Sequence, residues 1–430
     1  MTRHIAVIGG GPKAAAICAK ADILNRIQRA DLKVTVFERT AIAANWTGVG
    51  GYTDGASRLC TPAERDLGFP YDAGVIDPQV AAAMYGEYSW GAYLLNRGRS
   101  DAQSGYNNWV NRGRLAPTHA EFAAYVAWAV KKSGATVELS SVERLVAGTR
   151  GWILHRKTKD GARRSGGSFD GVVFTGPGGP INAIQRNGAS ARITDGRDFW
   201  RDPDGFFAGA VGFEDPILIL GAGGTAAAIA ARAVRAQGDR EILVIGDQAA
   251  LYTRVETFFE SQIYTDESIW QRLDSKTRRE VTDRLNRGVV WASISDELAR
   301  SSRVRFEPGR ASSISVDDGV AGEELVVTYS RAGTEFRTYA SLVIDASGFD
   351  AWWFASLLPE SFSNRLSGAS RGEEKASRAL LADGMTKYLE LFDEKPGPLH
   401  APMVSQAVGP GFLSLMNLGA MSDRILNRYL

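Results

Sequence analysis

Two short apolar runs in this 430-residue chain each end in the pattern Gly-x-Gly-x-x-Ala and continue into an alanine-rich stretch. The first pattern covers residues 9–14 and the second covers residues 221–226. In a dinucleotide-binding strand–turn–helix, the first glycine makes the tight turn, the second lets the backbone approach the pyrophosphate, and the helix N-terminus faces the phosphates. One such pattern also occurs in turns that bind nothing, but two in one chain predict two dinucleotide sites, one in each of two domains.

The residues of both turns are the candidates for contacts with the two dinucleotides. They are Gly9, Gly11, Pro12, Lys13 and Ala14 in the first turn, and Gly221, Gly223, Gly224 and Thr225 in the second. The strand that follows each turn ends in an acid, Glu38 in the first unit and Asp247 in the second. A carboxylate at this position meets a ribose hydroxyl in a dinucleotide fold. The gap from Gly9 to Glu38 is longer than usual, which an extra turn in the helix would accommodate. Glu38 is interpreted either as a ribose ligand or as a solvated strand end.

The order of strands and helices predicts an α/β fold with two dinucleotide-binding, Rossmann-like domains. A strand at 169–175 runs into a Gly/Pro-rich segment, and a buried strand at 341–345 returns into a tight turn. We therefore expect a discontinuous first domain over residues 1–178 and 338–430. The second domain is expected as an insertion at 205–335, with a linker at 179–204.

Composition and charge exclude several classes of protein. The net charge is +1 without a long basic run, so neither nucleic acid nor a membrane surface is indicated as a partner. Cys18 and Cys60 form no Cys-x-x-Cys pair, which argues against a flavin-dependent dithiol reductase. The four histidines are scattered, so no metal site and no Ser-His-Asp triad is predicted. Without a signal peptide or an apolar stretch of membrane-spanning length, the expected location is the cytoplasm.

Two dinucleotide units in series favour a flavin in the first and a nicotinamide in the second, with hydride passing to the flavin. The segment between the two units argues against one class of flavin monooxygenase. Enzymes of the ketone-oxidising class typically carry Phe-x-Gly-x-x-x-His-x-x-x-Trp between their domains. Phe174 and Gly176 fit this pattern, but Pro180 and Ile184 stand at the His and Trp positions. That class is therefore disfavoured.

The chain resembles the flavin-dependent N-hydroxylating monooxygenases of siderophore biosynthesis, specifically the lysine N6-hydroxylases of the mycobactin/nocobactin type. The resemblance extends nearly from end to end. The segments that carry it are residues 9–14, 45–46, 50–55, 64–71, 88–90, 116–119, 251–254, 258–260, 344–348, 409–412 and 422–424.

The resemblance implies FAD in the first domain and NADPH in the second. Reduced flavin would capture molecular oxygen as a C4a-hydroperoxide, protected by bound NADP⁺, and the neutral side-chain amine of L-lysine would attack its distal oxygen. This chemistry needs a dry flavin pocket and an anchored substrate, and no side chain is assigned a catalytic role. Alternatives are another primary amine (ornithine, a diamine or an acidic amino acid) and an uncoupled NADPH oxidase. The family often forms dimers or tetramers, which leaves a homo-oligomer open.

Two residues depart from the family pattern at positions that the resemblance assigns to the substrate. Arg65 stands where the family has a lysine that binds the substrate carboxylate, and a guanidinium can bind a carboxylate with two hydrogen bonds. The alternative for Arg65 is a surface or domain-bridging ion pair, for example with Asp66. Ser261 stands where the family has an asparagine that contacts the substrate backbone. Both departures put the substrate in question more than the chemistry.

The resemblance also assigns residues to the cofactors. Four of them belong to the flavin surroundings, with core packing or a plain turn as the alternative: Trp46, Tyr52, Gly411 and Phe412. In the second domain Asp247 favours NADH, because an acid repels a 2′-phosphate. Arg254 can supply affinity for that phosphate, so we predict NADPH over NADH.

Overall fold

The computed structural model describes residues 2–49, 52–71, 77–181, 184–253, 256–286, 290–319 and 322–430. The strands are β1 Arg3–Ile8, β2 Leu32–Glu38, β3 Thr136–Gly148, β4 Gly151–Thr158, β5 Arg163–Phe169, β6 Gly171–Phe174, β7 Gln185–Asn187, β8 Ile193–Asp195, β9 Ile217–Leu220, β10 Ile242–Gly246, β11 Val304–Pro308, β12 Arg310–Gly319, β13 Gly322–Arg331, β14 Thr334–Ala340, β15 Leu342–Asp345, β16 Glu390–Phe392 and β17 Leu399–His400.

The α-helices are α1 Pro12–Gln28, α2 Pro78–Tyr88, α3 Trp90–Arg97, α4 Tyr106–Asn111, α5 His119–Lys132, α6 Pro203–Ala208, α7 Gly224–Ala236, α8 Phe258–Gln262, α9 Glu267–Gln271, α10 Ser275–Asn286, α11 Ala292–Ala299, α12 Glu360–Ser363, α13 Arg371–Asp383 and α14 Leu418–Asn427. Short 3₁₀ segments are Ala44–Trp46, Ala102–Ser104, Asp198–Arg201, Trp353–Leu357 and Pro402–Val404.

The first sheet has eight strands in the order β16-β17-β6-β1-β2-β3-β4-β5. β1 pairs in parallel with β2 on one side and β6 on the other, and α1 connects β1 to β2. Helix α1 packs against α5 and the C-terminal helix α14, so both ends of the chain share one core. The start of α5 is stabilised by a capping box between Thr118 and Glu121.

The second sheet has five parallel strands in the order β11-β10-β9-β15-β8. Strands β9, β10 and β15 are short apolar runs that are buried throughout, as expected for strands covered on both faces. A third sheet, β14-β13-β12-β7, packs against it through a separate apolar cluster. The predicted α/β fold with two Rossmann-like sheets is confirmed.

The strand pairing places two segments in the second sheet that the expected domain boundaries put elsewhere. β15 pairs with β9, so residues 342–345 lie in the second sheet although the first domain was expected to resume at 338. β8 pairs with β15, so residues 193–195 are sheet residues although they were expected in a linker. For β15 the physical reason is that an apolar strand lowers its exposed surface most where both of its faces are covered, as they are beside β9.

The chain crosses between the first and the second sheet twice, after β6 and after β15, and the two crossing segments run side by side. Pro180 and Phe349 form an antiparallel bridge, and the amide of Ile181 donates to the Gly348 carbonyl at 3.1 Å. Within the described ranges, no helix is long and apolar enough to cross a membrane.

Candidate active site

The first glycine turn leaves the carboxyl end of β1 and opens onto the N-terminus of α1. Gly9 has a φ of +101°, and a Cβ there would lie 2.5 Å from Thr175 Oγ1. Gly11 is the N-cap of α1, and a Cβ built on it meets nothing within 4 Å. Pro12 follows at the first helical position. The helix therefore presents its first amide groups to open space, which fits the phosphates of a dinucleotide.

Glu38 lies at the end of β2, directly beside this turn. Its Oε2 accepts the Gly10 amide at 2.8 Å, and its Oε1 accepts the amide and the hydroxyl of Thr40 at 3.0 and 3.1 Å. The carboxylate is half-buried rather than freely solvated. It is thus held at the place where a dinucleotide fold presents an acid to a ribose.

Lys13, within the first turn of α1, is buried, and its side chain reaches the C-terminal segment. Its Nζ donates to the Ser414 carbonyl at 3.0 Å. Burial lowers the pKa of Lys13 to about 7. Ala14, the next residue, is fully buried and lets the helix pack closely on the sheet.

The second glycine turn repeats the geometry of the first. Gly221 has a φ of +132°, and a Cβ there would lie 2.3 Å from the carbonyl oxygen of Ala346. Gly223 is the N-cap of α7, with nothing within 4 Å of its Cβ position. Gly224 and Thr225 form the first turn of α7. These residues fit a second dinucleotide in the same way.

The acid expected after the second strand is exposed. Asp247 follows β10 directly, with its side chain towards solvent. Arg254, the predicted phosphate ligand, lies outside the described residues. Next to Asp247, the side-chain oxygen of Gln248 is buried without a hydrogen-bond partner in the described part of the chain.

Trp46 and Tyr52 lie in the irregular segment that follows β2. The Trp46 ring packs edge-on against His119 and Phe122, at centroid distances of 5.1 and 5.7 Å. Tyr52 donates its hydroxyl to the Gly178 carbonyl at 2.8 Å. Tyr52 is thereby attached to one of the two crossings between the sheets, whereas Trp46 packs against α5.

The segment before α14 turns at Gly411, which has a φ of +85°. A Cβ on Gly411 would lie 2.7 Å from the ring of Tyr264, in the inserted part of the chain. Phe412 is buried, and the Arg424 guanidinium lies 5.0 Å from its ring centroid. Gly411 and Phe412 thus lie where the C-terminal segment meets the second unit.

Arg65 is placed at the same junction. Its guanidinium carbon lies 5.1 Å from the ring centroid of Tyr264 and 5.2 Å from that of Phe69, and its Nη1 lies 3.8 Å from Met416 Sδ. Ser261 is half-buried on α8, and its carbonyl accepts the Tyr264 amide at 3.2 Å. Tyr264 therefore connects the two predicted substrate residues.

The carboxylate of Asp66 has partners other than Arg65. It accepts the hydroxyl of Tyr71, the amide of Trp90 at 2.7 Å and the amide of Gly68 at 3.2 Å. Burial raises the pKa of Asp66 to about 7. Asp66 thus organises the loop that carries Arg65.

Sequence reasoning missed two residues of this junction. Tyr264 is buried between Arg65 and Gly411. Asn417 precedes α14 and donates its Nδ2 to the Tyr264 carbonyl at 3.0 Å. Neither residue belongs to a local motif, and no sequence signal marked them.

The chain is similar to known proteins over nearly its whole length. No protein-family model matches the chain. It is 36% identical over 437 residues to L-lysine N6-monooxygenase MbtG of Mycobacterium sp. (strain MCS), covering 99% of this chain and 95% of that protein. The chain superposes on lysine monooxygenase NbtG of Nocardia farcinica with a TM-score of 0.80 at 27% sequence identity. The match covers 99% of this chain and 100% of NbtG, whose structure is described as having an unprecedented NADPH domain conformation. The chain shares its fold with ornithine N-hydroxylase KtzI of Kutzneria sp. 744, with a TM-score of 0.73 at 17% sequence identity. The match covers 100% of this chain and 99% of KtzI, which was solved with reduced FAD, NADP⁺ and L-ornithine.

Proposed function

The chain belongs to the family of L-lysine N6-monooxygenases, which are flavin-dependent N-hydroxylating enzymes, and we propose that it hydroxylates the side-chain amine of L-lysine for siderophore or related specialised-metabolite biosynthesis. The identity of 36% over 99% of the chain carries this proposal. The two glycine turns, each opening onto a helix N-terminus, fit the two dinucleotides that such an enzyme uses.

FAD is the cofactor proposed for the first turn and NADPH for the second. The amides at the start of α1 would bind the FAD pyrophosphate, with Glu38 beside the ribose and Trp46, Tyr52, Gly411 and Phe412 around the flavin. The amides at the start of α7 would bind NADPH. Bound FAD and NADPH supply the reduction and the transfer of one oxygen atom from molecular oxygen. The proposed task of the protein is to position the amine and exclude water.

Arg65 is the proposed anchor for the carboxylate of the amino acid, and Ser261 is proposed to contact its backbone. The position of Arg65 against Phe69 and Tyr264 supports this role, because a guanidinium stacked on aromatic rings is held in one orientation. A fixed guanidinium can hold a carboxylate with two hydrogen bonds and direct the far amine towards the flavin.

The test of the function is the amount of hydroxylamine formed for each NADPH oxidised, measured with L-lysine, L-ornithine, cadaverine and L-glutamate. We expect L-lysine to give the highest kcat/KM and near-stoichiometric product. Product from ornithine or cadaverine but not from lysine would contradict only the proposed substrate and not the N-hydroxylation reaction. A different amine is the first alternative, because Arg65 and Ser261 depart from the family pattern. NADPH oxidation to peroxide without hydroxylamine from any amine would contradict the monooxygenase proposal.

Arg65→Ala tests the anchor, with Arg65→Lys as the control that keeps the positive charge. Losing a charged hydrogen-bond partner should raise KM for lysine by about tenfold to a hundredfold. The rate of flavin reduction by NADPH should stay the same in both variants. An unchanged KM in Arg65→Ala would refute the anchor role and assign Arg65 a structural role at its contacts with Phe69, Tyr264 and Met416.

Cytoplasmic location and a homo-oligomer stay predictions from the sequence. Fractionation of producing cells tests the location, and light scattering of the purified protein tests the oligomeric state. NADPH is preferred over NADH if it reduces the flavin at much lower concentration. The reverse order would indicate that Asp247 binds the ribose.

A further inference from the structure

The carboxyl edge of the second sheet carries more than the second glycine turn. β9 runs directly into that turn at Gly221, β10 lies beside β9, and β11 lies beside β10 at the edge of the sheet. In such a sheet a dinucleotide binds outside the carboxyl ends of the strands, with its adenosine ribose at the acid that follows the second strand. That acid is Asp247, directly after β10, so the ribose side of the site lies at the ends of β10 and β11.

Arg310 lies at this ribose side, because the chain leaves β11 next to the end of β10. Gly246 is paired in parallel with Pro308, and the Gly309 amide donates to the Gly246 carbonyl at 2.7 Å. Neighbouring strands are about 4.8 Å apart. Asp247 is one residue beyond this pair on one strand, and Arg310 is two residues beyond it on the other. Both side chains are exposed, so both are accessible to a ligand at this edge.

The other charged groups near Arg310 already neutralise one another. Glu307 on β11 forms an ion pair with Arg331, whose guanidinium carbon also lies 4.5 Å from the ring centroid of Phe336. Among the residues that the structure describes, neither the Arg310 guanidinium nor the Asp247 carboxylate makes a hydrogen bond or an ion pair. The ribose side of the site therefore offers one acid and one guanidinium to a ligand.

An exposed guanidinium next to a ribose-binding acid fits a phosphate on that ribose. The Asp247 carboxylate repels a 2′-phosphate, and a guanidinium can bind the same phosphate with two parallel hydrogen bonds. The pyrophosphate is a poor partner for Arg310, because the end of β10 lies between Arg310 and the turn that follows β9.

We propose that Arg310 binds the 2′-phosphate of NADPH, offsets the repulsion from Asp247 and so determines the preference for NADPH over NADH. The inference rests on the proposed function for the identity of the second dinucleotide. The sequence assigned the 2′-phosphate to Arg254 alone. Arg310 reaches the same phosphate from a different strand of the sheet.

The experiment compares Arg310→Gln with Arg305→Gln as the matched control. Arg305 is an exposed arginine near the amino end of the same strand β11, where it pairs with Glu241 at 3.3 Å. A third variant, Arg310→Lys, keeps the positive charge but not the paired hydrogen bonds of the guanidinium. Dissociation constants are measured by calorimetry on the FAD-loaded protein for NADP⁺ and NAD⁺, which differ only in the 2′-phosphate.

We expect Arg310→Gln to weaken NADP⁺ binding about tenfold to a hundredfold and to leave NAD⁺ within about twofold of the wild type. Arg310→Lys should bind NADP⁺ more tightly than Arg310→Gln and less tightly than the wild type. Arg305→Gln should leave both ligands within about twofold of the wild type, because solvent and salt screen a surface charge at the far end of the strand. Thermal unfolding checks that all three variants are folded.

Three results would overturn the inference. Unchanged NADP⁺ binding in Arg310→Gln would exclude a contact with the 2′-phosphate. Equal weakening of NADP⁺ and NAD⁺ would assign Arg310 to the adenine or the pyrophosphate. Weakening of NADP⁺ in Arg305→Gln as large as in Arg310→Gln would indicate a general effect of surface charge. Because binding is measured without turnover, the expected pattern together with no hydroxylamine from any amine would contradict the proposed function and leave this inference standing.

Discussion

The first glycine turn has two proposed tasks, a tight backbone turn at Gly9 and a close approach to the pyrophosphate at Gly11. Replacing either glycine with alanine tests one task without the other. Gly9 has a left-handed φ of +101°, and its Cβ would lie 2.5 Å from Thr175 Oγ1. Gly11 has a φ of −87° and open space at its Cβ position. Gly9→Ala should therefore damage the fold, whereas Gly11→Ala should place a methyl group where the pyrophosphate is proposed to bind.

The expected magnitudes differ accordingly. A left-handed backbone costs an alanine about 1–2 kcal/mol, and the contact with Thr175 adds to that cost. Gly11→Ala has two opposing effects on stability. Alanine is a poorer N-cap than glycine, which destabilises the folded state, but it also lowers the entropy of the unfolded chain, which stabilises the protein; each effect is worth roughly 0.5–1 kcal/mol. Its cofactor-free stability should therefore match the wild type. Its affinity for FAD should fall at least about tenfold, which corresponds to about 1.4 kcal/mol.

The assay is chemical unfolding of each protein with and without excess FAD, combined with FAD titration followed by flavin fluorescence. A ligand stabilises the folded state according to its affinity, so tenfold weaker binding removes about 1.4 kcal/mol of the FAD-dependent stabilisation. Gly11→Ala should lose this increment and nothing else. Gly9→Ala should lose stability even without FAD.

Wild-type affinity for FAD in Gly11→Ala would refute the assignment of the pyrophosphate to the start of α1. Full cofactor-free stability in Gly9→Ala would refute the steric argument for the turn.

Three further predictions follow from the same structure. Lys20→Met should lower the free energy of unfolding, measured in denaturant titrations, by about 3–5 kcal/mol, because it leaves the buried Asp423 carboxylate unpaired. The double variant Lys20→Met/Asp423→Leu should regain most of that loss. Burial lowers the pKa of His400 from 6.5 to about 4, so the folded state keeps it neutral. Its stabilising contribution should therefore be complete above pH 6.5 and fall by about 3 kcal/mol towards pH 4, and unfolding titrations should show a smaller pH dependence in His400→Gln. Gly223→Ala should raise KM for NADPH in a fully stable protein, whereas Gly221→Ala should lower thermal stability.

Local patterns were sufficient to predict the elements whose geometry depends on neighbouring residues. Both glycine turns, the acid after β2 and the extent of α5 were found from the sequence, because turn conformation and helix capping act over a few residues. The resemblance predicted the family and the fold, and both are confirmed.

The expected domain boundary at 338 was placed too early, because the assignment of β15 depends on long-range packing. The run Leu342–Asp345 reads equally well as a strand of either sheet. Its pairing with β9 is decided by which sheet can cover both of its faces, and sequence periodicity carries no information on that choice.

The sequence by itself determined that this chain has two glycine turns of one kind, since a glycine turn before a helix is specified by adjacent residues. Only the tertiary structure decided how the junction with the proposed substrate anchor Arg65 is built. It brings Arg65, Tyr264 and Asn417 together from three distant segments and leaves Asn417 Oδ1 buried without a partner in the described chain. An unpaired buried acceptor is a property of packing, because burial and hydrogen bonding depend on every segment that surrounds the atom.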